Sequence, residues 1–242
     1  MYKINFHFVV YRYEAILAMI IFLLTGSFAM SSKDSQIAFP PVQRYPYSIA
    51  VTFDDGPHPE YTERILKILA EKHVPATFFV VGSQVFKHPG LARRISSCGH
   101  EIESHTMNHP NLKHLKQEQI KNELVMAQKI IRNVTGQESL YFRPPGGQFD
   151  KKVLSAASEM NLDMVLWTVF PKDHQEKNPE IIKKIVLEQS VDGGVIILHS
   201  GVDATIAALP EIIDELKNRG FRFLTVSQLK NESKKVQLAW LR

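Results

Sequence analysis

Residues 48–57 read SIAVTFDDGP, and this stretch decides the fold class of the 242-residue chain. Residues 49–53 are mainly apolar and predict a buried strand, which two carboxylates, Asp54 and Asp55, follow directly. The Gly-Pro pair after them forces a turn, so the two carboxylates are expected at the end of the strand, directed at different atoms of one site. By themselves they could equally cap the next helix.

Similar strand and helix patterns alternate through the rest of the chain. Strands are predicted at 77–81, 101–104, 140–143, 164–169, 195–199 and 221–226, and helices at 61–72, 91–97, 117–134, 151–160, 179–189 and 211–218, with Pro210 starting or kinking the last helix. This alternation predicts an α/β fold with parallel strands, either a barrel or an open doubly wound sheet.

Polar residues recur where the predicted strands end: Asp54, Asp55, His105, Arg143, Asp173 and His199. In a parallel barrel the carboxyl ends of all strands meet on one face, where active sites are built. Residues that are far apart in sequence are therefore expected to share one site.

Composition excludes several classes of protein. With 44% apolar and 22% charged residues, the chain is neither disordered nor a multi-span membrane protein. The net charge of +4 comes from scattered Lys and Arg, so no nucleic-acid partner is expected. The single cysteine, Cys98, cannot form an internal disulfide.

The N-terminal sequence predicts export. Residues 15–24 are all apolar, Lys3 and Arg12 precede them, and small residues allow cleavage after Ala29. We expect a signal peptide or an N-terminal membrane anchor at 1–29, although a buried core helix is the alternative. A proline-rich linker at 30–47, a single domain at 48–230 and a C-terminal tail at 231–242 complete the predicted organisation. The sequence does not indicate the oligomeric state.

His105 and His109 are four residues apart, which would place both imidazoles on one side of a helical turn. Such a pair alone is more often surface or core than a metal site. Together with an aspartate at a strand end, it forms a two-histidine, one-carboxylate set that suits Zn, Co, Ni or Fe(II).

Four motifs in this order, TFDDGP at 52–57, SHTMNHP at 104–110, FRPPGG at 142–147 and ILHS at 197–200, resemble the polysaccharide deacetylase family with the NodB homology domain, carbohydrate esterase family 4. The resemblance covers residues 48–230. It implies a distorted (β/α)7 barrel and metal-dependent hydrolysis of an N-acetyl group on a sugar.

The resemblance also implies a role for each motif residue. Asp55, His105 and His109 would hold one divalent metal, with zinc ahead of Co, Ni or Fe. Asp54 would be the general base, held by Arg143, and His199 the general acid, oriented by Asp173. The remaining residues implied beside the oxyanion and the substrate are Gly146, through its backbone N–H, Pro145 and Leu198.

Two motifs depart from the family pattern. Gly146 stands where an aromatic residue is usual. In residues 167–174, WTVFPKDH, Phe170 replaces a usual Asp and His174 a usual Trp. The second change puts the apolar pocket for the acetyl methyl group in doubt.

These features together predict an exported, metal-dependent deacetylase of N-acetylglucosamine-type residues in a cell-wall or extracellular glycan. Two alternatives keep the same residues: an O-acetyl esterase or sugar deformylase, and a metal-bearing carbohydrate-binding protein without turnover. The second is disfavoured because a binder would need neither Asp54 nor His199.

Overall fold

The computed structural model describes residues 46–236, with side chains up to residue 232. The predicted leader at 1–29, the linker up to residue 45 and the end of the tail lie outside these residues. Within the described part, no helix combines the length and apolar character needed to cross a membrane.

The described chain alternates strands and helices. The strands are β1 (Tyr47–Asp54), β2 (Thr77–Val80), β3 (Glu101–Ser104), β4 (Tyr141–Phe142), β5 (Asp163–Met164), β6 (Gly194–His199) and β7 (Phe221–Leu224). The helices are α1 (Thr62–Glu71), α2 (Gly82–Lys87), α3 (Pro89–Ser97), α4 (Gln117–Thr135), α5 (Lys151–Glu159), α6 (Pro179–Gln189), α7 (Asp203–Asn218) and α8 (Val226–Val236). Short 3₁₀ helices lie at Leu112–His114 and Pro145–Gly147.

All strand pairs are parallel, in the order β5-β4-β3-β2-β1-β6, and β7 pairs with the first half of β1. The sheet curls into a distorted half-barrel, so the predicted α/β barrel class is confirmed. In the register, Asp54 lies between Phe79 of β2 and His199 of β6. The carboxyl ends of these strands therefore meet at one face.

Successive side chains of β1 point to opposite faces of the sheet, one toward the core under the helices and one toward the site. Ile49, Val51 and Phe53 are buried in the cluster between the sheet and the helices. Ala50 belongs to a second cluster, on the inner face of the sheet. Because side chains alternate with a period of two, Asp54 also points inward.

The predicted strand at 164–169 is too long. After β5 the chain crosses from β4 to β6: the Val165 N–H donates to the Phe142 carbonyl, and the Thr168 N–H donates to the Val195 carbonyl. An isolated parallel bridge joins Val169 to Ile196. Val165 and Val169 are buried in this crossing segment. A pattern of apolar residues alone cannot distinguish such a segment from a regular strand.

The last two helices also differ from prediction. Pro210 lies inside α7 and does not start it, because the helix is held by a fully buried face that includes Leu209 and Ile213. The predicted last strand ends two residues early, and α8 begins at Val226 and crosses the predicted domain boundary at residue 230.

Candidate active site

Asp54 lies at the end of β1 and is almost fully buried beside Arg143. Arg143 Nη1 donates to Asp54 Oδ1 at 2.6 Å and to Thr52 Oγ1 at 2.8 Å. The guanidinium also donates to the carbonyls of Val165 and Leu166, and its Cζ lies 4.0 Å from the centre of the Phe79 ring. The arginine is thus fixed on several sides and in turn fixes the direction of the Asp54 carboxylate.

Asp55 faces the two histidines of the second motif. Its Oδ1 lies 3.4 Å from His105 Nε2 and 3.2 Å from His109 Nε2. The left-handed backbone of Asp55, at φ 72°, turns its side chain away from that of Asp54. The two neighbouring carboxylates therefore serve different partners, as the Gly-Pro turn predicts.

The tautomer of His105 follows from its second contact. Its Nδ1 lies 2.8 Å from the Arg143 carbonyl oxygen, which can only accept, so Nδ1–H is the donor. In the neutral ring, Nε2 then carries the lone pair and points toward Asp55. In metal sites, a ligand histidine usually donates its other ring N–H to such a carbonyl, to a carboxylate or to water.

The histidine pair does not lie on a helical turn, so that part of the prediction is wrong. Residues 105–110 form a loop in which Thr106 and His109 have φ of 67° and 59°. Thr106 Oγ1 accepts from the His109 N–H at 3.0 Å and closes the loop. The two ring centres still lie 4.9 Å apart, so the loop brings the imidazoles together by another route.

The donor set fits a divalent metal. Asp55 Oδ1 is buried and has no hydrogen-bond partner within the described residues. A carboxylate oxygen in that state is costly unless a cation satisfies it. Asp55, His105 and His109 each offer one ligand atom, and these atoms all lie within 4.8 Å of one another. The three residues therefore form a candidate site for one divalent ion.

His199, at the end of β6, forms a pair with the fully buried Asp173. His199 Nδ1 donates to Asp173 Oδ1 at 2.7 Å. Asp173 Oδ2 accepts from the His199 N–H and from Thr205 Oγ1, at 2.8 and 2.6 Å. Burial alone would lower the pKa of His199, but the hydrogen bond and the charge of Asp173 outweigh it, so the pKa is raised above its usual value.

An aromatic row continues from this pair along the altered motif. The ring of His174 lies 4.8 Å from that of His199 and stacks on Phe170 at 5.9 Å, and Phe170 lies 5.3 Å from Trp167. Burial and the neighbouring His199 lower the pKa of His174. Of the two altered residues of this motif, His174 thus lies beside the predicted acid, and Phe170 packs on the ring of His174.

Of the three residues expected beside the oxyanion and the substrate, two lie in the turn after β4 and one does not face the site. Gly146 is exposed and has φ 60° in the 3₁₀ turn after β4, next to the buried Pro145. Leu198 does not reach the site: it is fully buried in the cluster between sheet and helices, because it alternates with the inward-pointing His199. Ile197, opposite Thr52 in the register, is the inward neighbour that the prediction missed. Counting back two residues from His199 would have found it.

A candidate metal site, a carboxylate held by arginine and a histidine–aspartate pair lie together at the carboxyl ends of a curled parallel sheet, an arrangement that suits a βα-barrel hydrolase. The chain belongs to the polysaccharide deacetylase family, whose model matches residues 43–165.

Similar proteins with named activities support this family assignment. The chain is 38% identical over 186 residues to a peptidoglycan-N-acetylglucosamine deacetylase of Bacillus cereus, covering 75% of this chain and 87% of the relative. It is 35% identical to a chitooligosaccharide deacetylase of Sinorhizobium fredii, covering 75% and 91%. The similar PgdA of Listeria monocytogenes is longer, and the match spans 39% of it.

Solved structures give the same fold. Peptidoglycan deacetylase PdaC from Bacillus subtilis superposes with a TM-score of 0.72 at 34% identity, covering 82% of this chain and 98% of PdaC. A family pseudoenzyme from Bacillus anthracis superposes with a TM-score of 0.73 at 28% identity, covering 76% and 65%. Membership in the family therefore does not by itself guarantee turnover, and the site residues must decide it.

Proposed function

We propose that this protein is a metal-dependent N-deacetylase that acts on N-acetylglucosamine-type residues of peptidoglycan or a similar extracellular glycan. The observation that carries the proposal is that a base candidate, Asp54, and an acid candidate, His199, lie on neighbouring strands beside one candidate metal site. The activities named for the relatives, peptidoglycan and chitooligosaccharide deacetylation, support the substrate class.

Asp55, His105 and His109 would hold the metal, and two imidazoles with one carboxylate favour zinc, with Co, Ni or Fe as alternatives. A divalent cation bound there would polarise the amide carbonyl and lower the pKa of water.

Asp54 is suited to accept the proton of the attacking water. Its Oδ1 is committed to Arg143, so Oδ2, which lies 3.8 Å from His105 Nε2, is the oxygen left to act as base next to the metal ligands. The buried arginine fixes the direction of the carboxylate.

His199 is suited to protonate the departing amine. With Nδ1–H donated to Asp173, the second proton of the imidazolium lies on Nε2, the nitrogen not engaged by that carboxylate. The amine leaves only if its nitrogen is protonated, and the raised pKa of His199 keeps the acid form populated nearer to neutral pH.

The Gly146 backbone N–H is our candidate donor to the developing oxyanion, with Pro145 beside it. Its positive φ departs from the helical backbone of the surrounding turn and suits glycine.

We further propose that the protein works outside the cytoplasm. Relatives that act on peptidoglycan and the predicted leader at 1–29 support this, whether the leader is cleaved or retained as a membrane attachment. The partner is then an acetylated glycan.

A second enzymatic candidate is an O-acetyl esterase or a sugar deformylase that uses the same residues. The observation that keeps it open is the wall formed by Phe170 and His174, where the family usually carries Asp and Trp. These two different side chains change the shape of the space that is available to the acyl group.

The test is acetate release by zinc- or cobalt-loaded protein from chito-oligosaccharides and peptidoglycan, compared with O-acetylated xylan and N-formylated sugars. We expect release from N-acetylated glycans, and none after the metal is chelated. Release only from O-acetyl esters, or only of formate, would replace the proposal by the second candidate. No release from any substrate would support a binding protein.

A further inference from the structure

A second group of ligand-type side chains lies beside the predicted acid. Asp173, His174 and His199 each offer one ligand-type atom, and these atoms all lie within 4.8 Å of one another. None of them belongs to the Asp55 group. The second imidazole comes from His174, which stands where the family motif usually has Trp.

The three residues are not equivalent. Both oxygens of Asp173 already accept hydrogen bonds, from His199 and Thr205, and the carboxylate is fully buried. It can therefore serve as the outer carboxylate that orients a ligand histidine. Because it takes Nδ1–H of His199, the nitrogen of His199 that can bind a metal is Nε2.

His174 supplies the other nitrogen, because its ring centre lies 4.8 Å from that of His199. Within the described part of the chain, its ring makes no hydrogen bond, and stacking on Phe170 holds its plane. The side chain is exposed, so an ion can reach it from solvent.

We propose that His174 and His199 Nε2 together bind a second divalent transition-metal ion of the zinc type, and that this ion inhibits the enzyme. Imidazole nitrogens are good ligands for zinc, copper and nickel. With two protein ligands and no directly bound carboxylate, the second site is weaker than the Asp55, His105, His109 site. It fills only when the metal is in excess.

The inhibitory effect rests on the proposed role of His199. A metal on Nε2 takes the electron pair that would hold the proton, so binding to protonated His199 releases that proton to solvent. The imidazole then has no proton to give to the departing amine. Asp173 still holds Nδ1–H, so the ring keeps its position while its function is blocked.

The experiment compares the wild-type protein with the variants His174→Phe and His174→Trp and with the matched control His114→Phe, which replaces an exposed histidine outside both groups. Equilibrium dialysis against buffered zinc, followed by metal analysis, gives the number of ions bound. We expect two in the wild type and the control, and one in both His174 variants.

Zinc inhibition is measured on the same proteins, each relative to its own activity with one equivalent of zinc. The zinc concentration that halves acetate release should rise at least about tenfold in the His174 variants, and not in the control. Equal numbers of bound ions in all proteins, or equal inhibition, would overturn the second site.

The two proposals can fail separately. If the wild type binds a second ion through His174 but releases no acetate from any glycan, the second site stands and the proposed function fails. If acetate is released but the His174 variants bind as much zinc as the wild type, the proposed function stands and the second site fails.

Discussion

At the scale of single residues, Asp54 and Asp55 are adjacent in sequence but face different partners. Asp54 contacts the buried Arg143, and Asp55 faces the two histidines. Sequence predicts this divergence because the Gly-Pro turn follows directly after the two like charges at the end of the strand. It cannot give the φ of 72° at Asp55 or the tautomer of His105, which depend on contacts with distant segments.

The Asp173→Asn variant tests the histidine–aspartate pair. Loss of the carboxylate charge should lower the pKa of His199, because that charge raises it in the native protein. The reaction needs protonated His199, so the alkaline limb of kcat/KM against pH should move to lower pH. The measurement is the pH profile of acetate release.

Thr205→Val is the matched control for that variant, because it removes one hydrogen bond to Asp173 and leaves the charge in place. Its alkaline limb should not move to lower pH. An unmoved limb in Asp173→Asn would show that Asp173 does not set the pKa of the acid.

At the scale of elements, the loop at 105–110 is held by α4. The Asn108 backbone N–H and side-chain amide donate to the two carboxylate oxygens of Glu123, at 2.7 and 2.8 Å. This contact lies next to His109. A spacing of four residues suggests a helical turn, but contacts within the loop and with distant segments, such as this one with a later helix, determine its actual shape.

We expect Glu123→Ala to weaken metal binding about tenfold, since outer contacts position the ligands. The metal dissociation constant, measured by competition with a chelator, gives the result. Glu118→Ala is the control on the same helix, because Glu118 is exposed and, within residues 46–232, its one ion pair is with Lys121. Equal affinities for both variants would mean that the Glu123 contact does not position His109.

Strand β6 shows where sequence reasoning failed within an element. The motif 197–200 identified His199, but assigning Leu198 to the substrate ignored that neighbouring side chains point to opposite faces. Helix α7 shows a similar limit, because burial of its apolar face outweighs the effect of Pro210. Motifs identify the chemistry of a residue, and strand period and packing decide where it points.

At the scale of the whole molecule, α8 covers the amino-terminal end of the half-barrel. Val226 and Leu229 join the inner cluster, the Val226 N–H donates to Thr77 Oγ1, and Lys230 pairs with Asp163. The alternation of strands and helices predicts the barrel and the face that carries the site. It does not predict this helix, because no strand follows it to reveal a further unit.

Leu229→Ala should therefore destabilise the fold without changing the chemistry. Loss of a fully buried leucine costs about 2–5 kcal/mol in the free energy of unfolding, measured by urea denaturation. The exposed Asn231→Ala on the same helix should stay within about 0.5 kcal/mol of the wild type. A large loss of kcat/KM in folded Leu229→Ala would contradict the separation of this end from the site.

The most direct measurement takes metal content and acetate release from the same preparations of wild type, His105→Ala and His199→Ala, each loaded with one equivalent of zinc so that the second, weaker site stays empty. His105→Ala should lose both the metal and turnover, because it removes one of three ligands. His199→Ala should keep the metal and lose about 10²- to 10⁴-fold in turnover, since it removes only the acid. Turnover retained in either variant, or metal lost from His199→Ala, would contradict the assignment of a metal site and a separate acid.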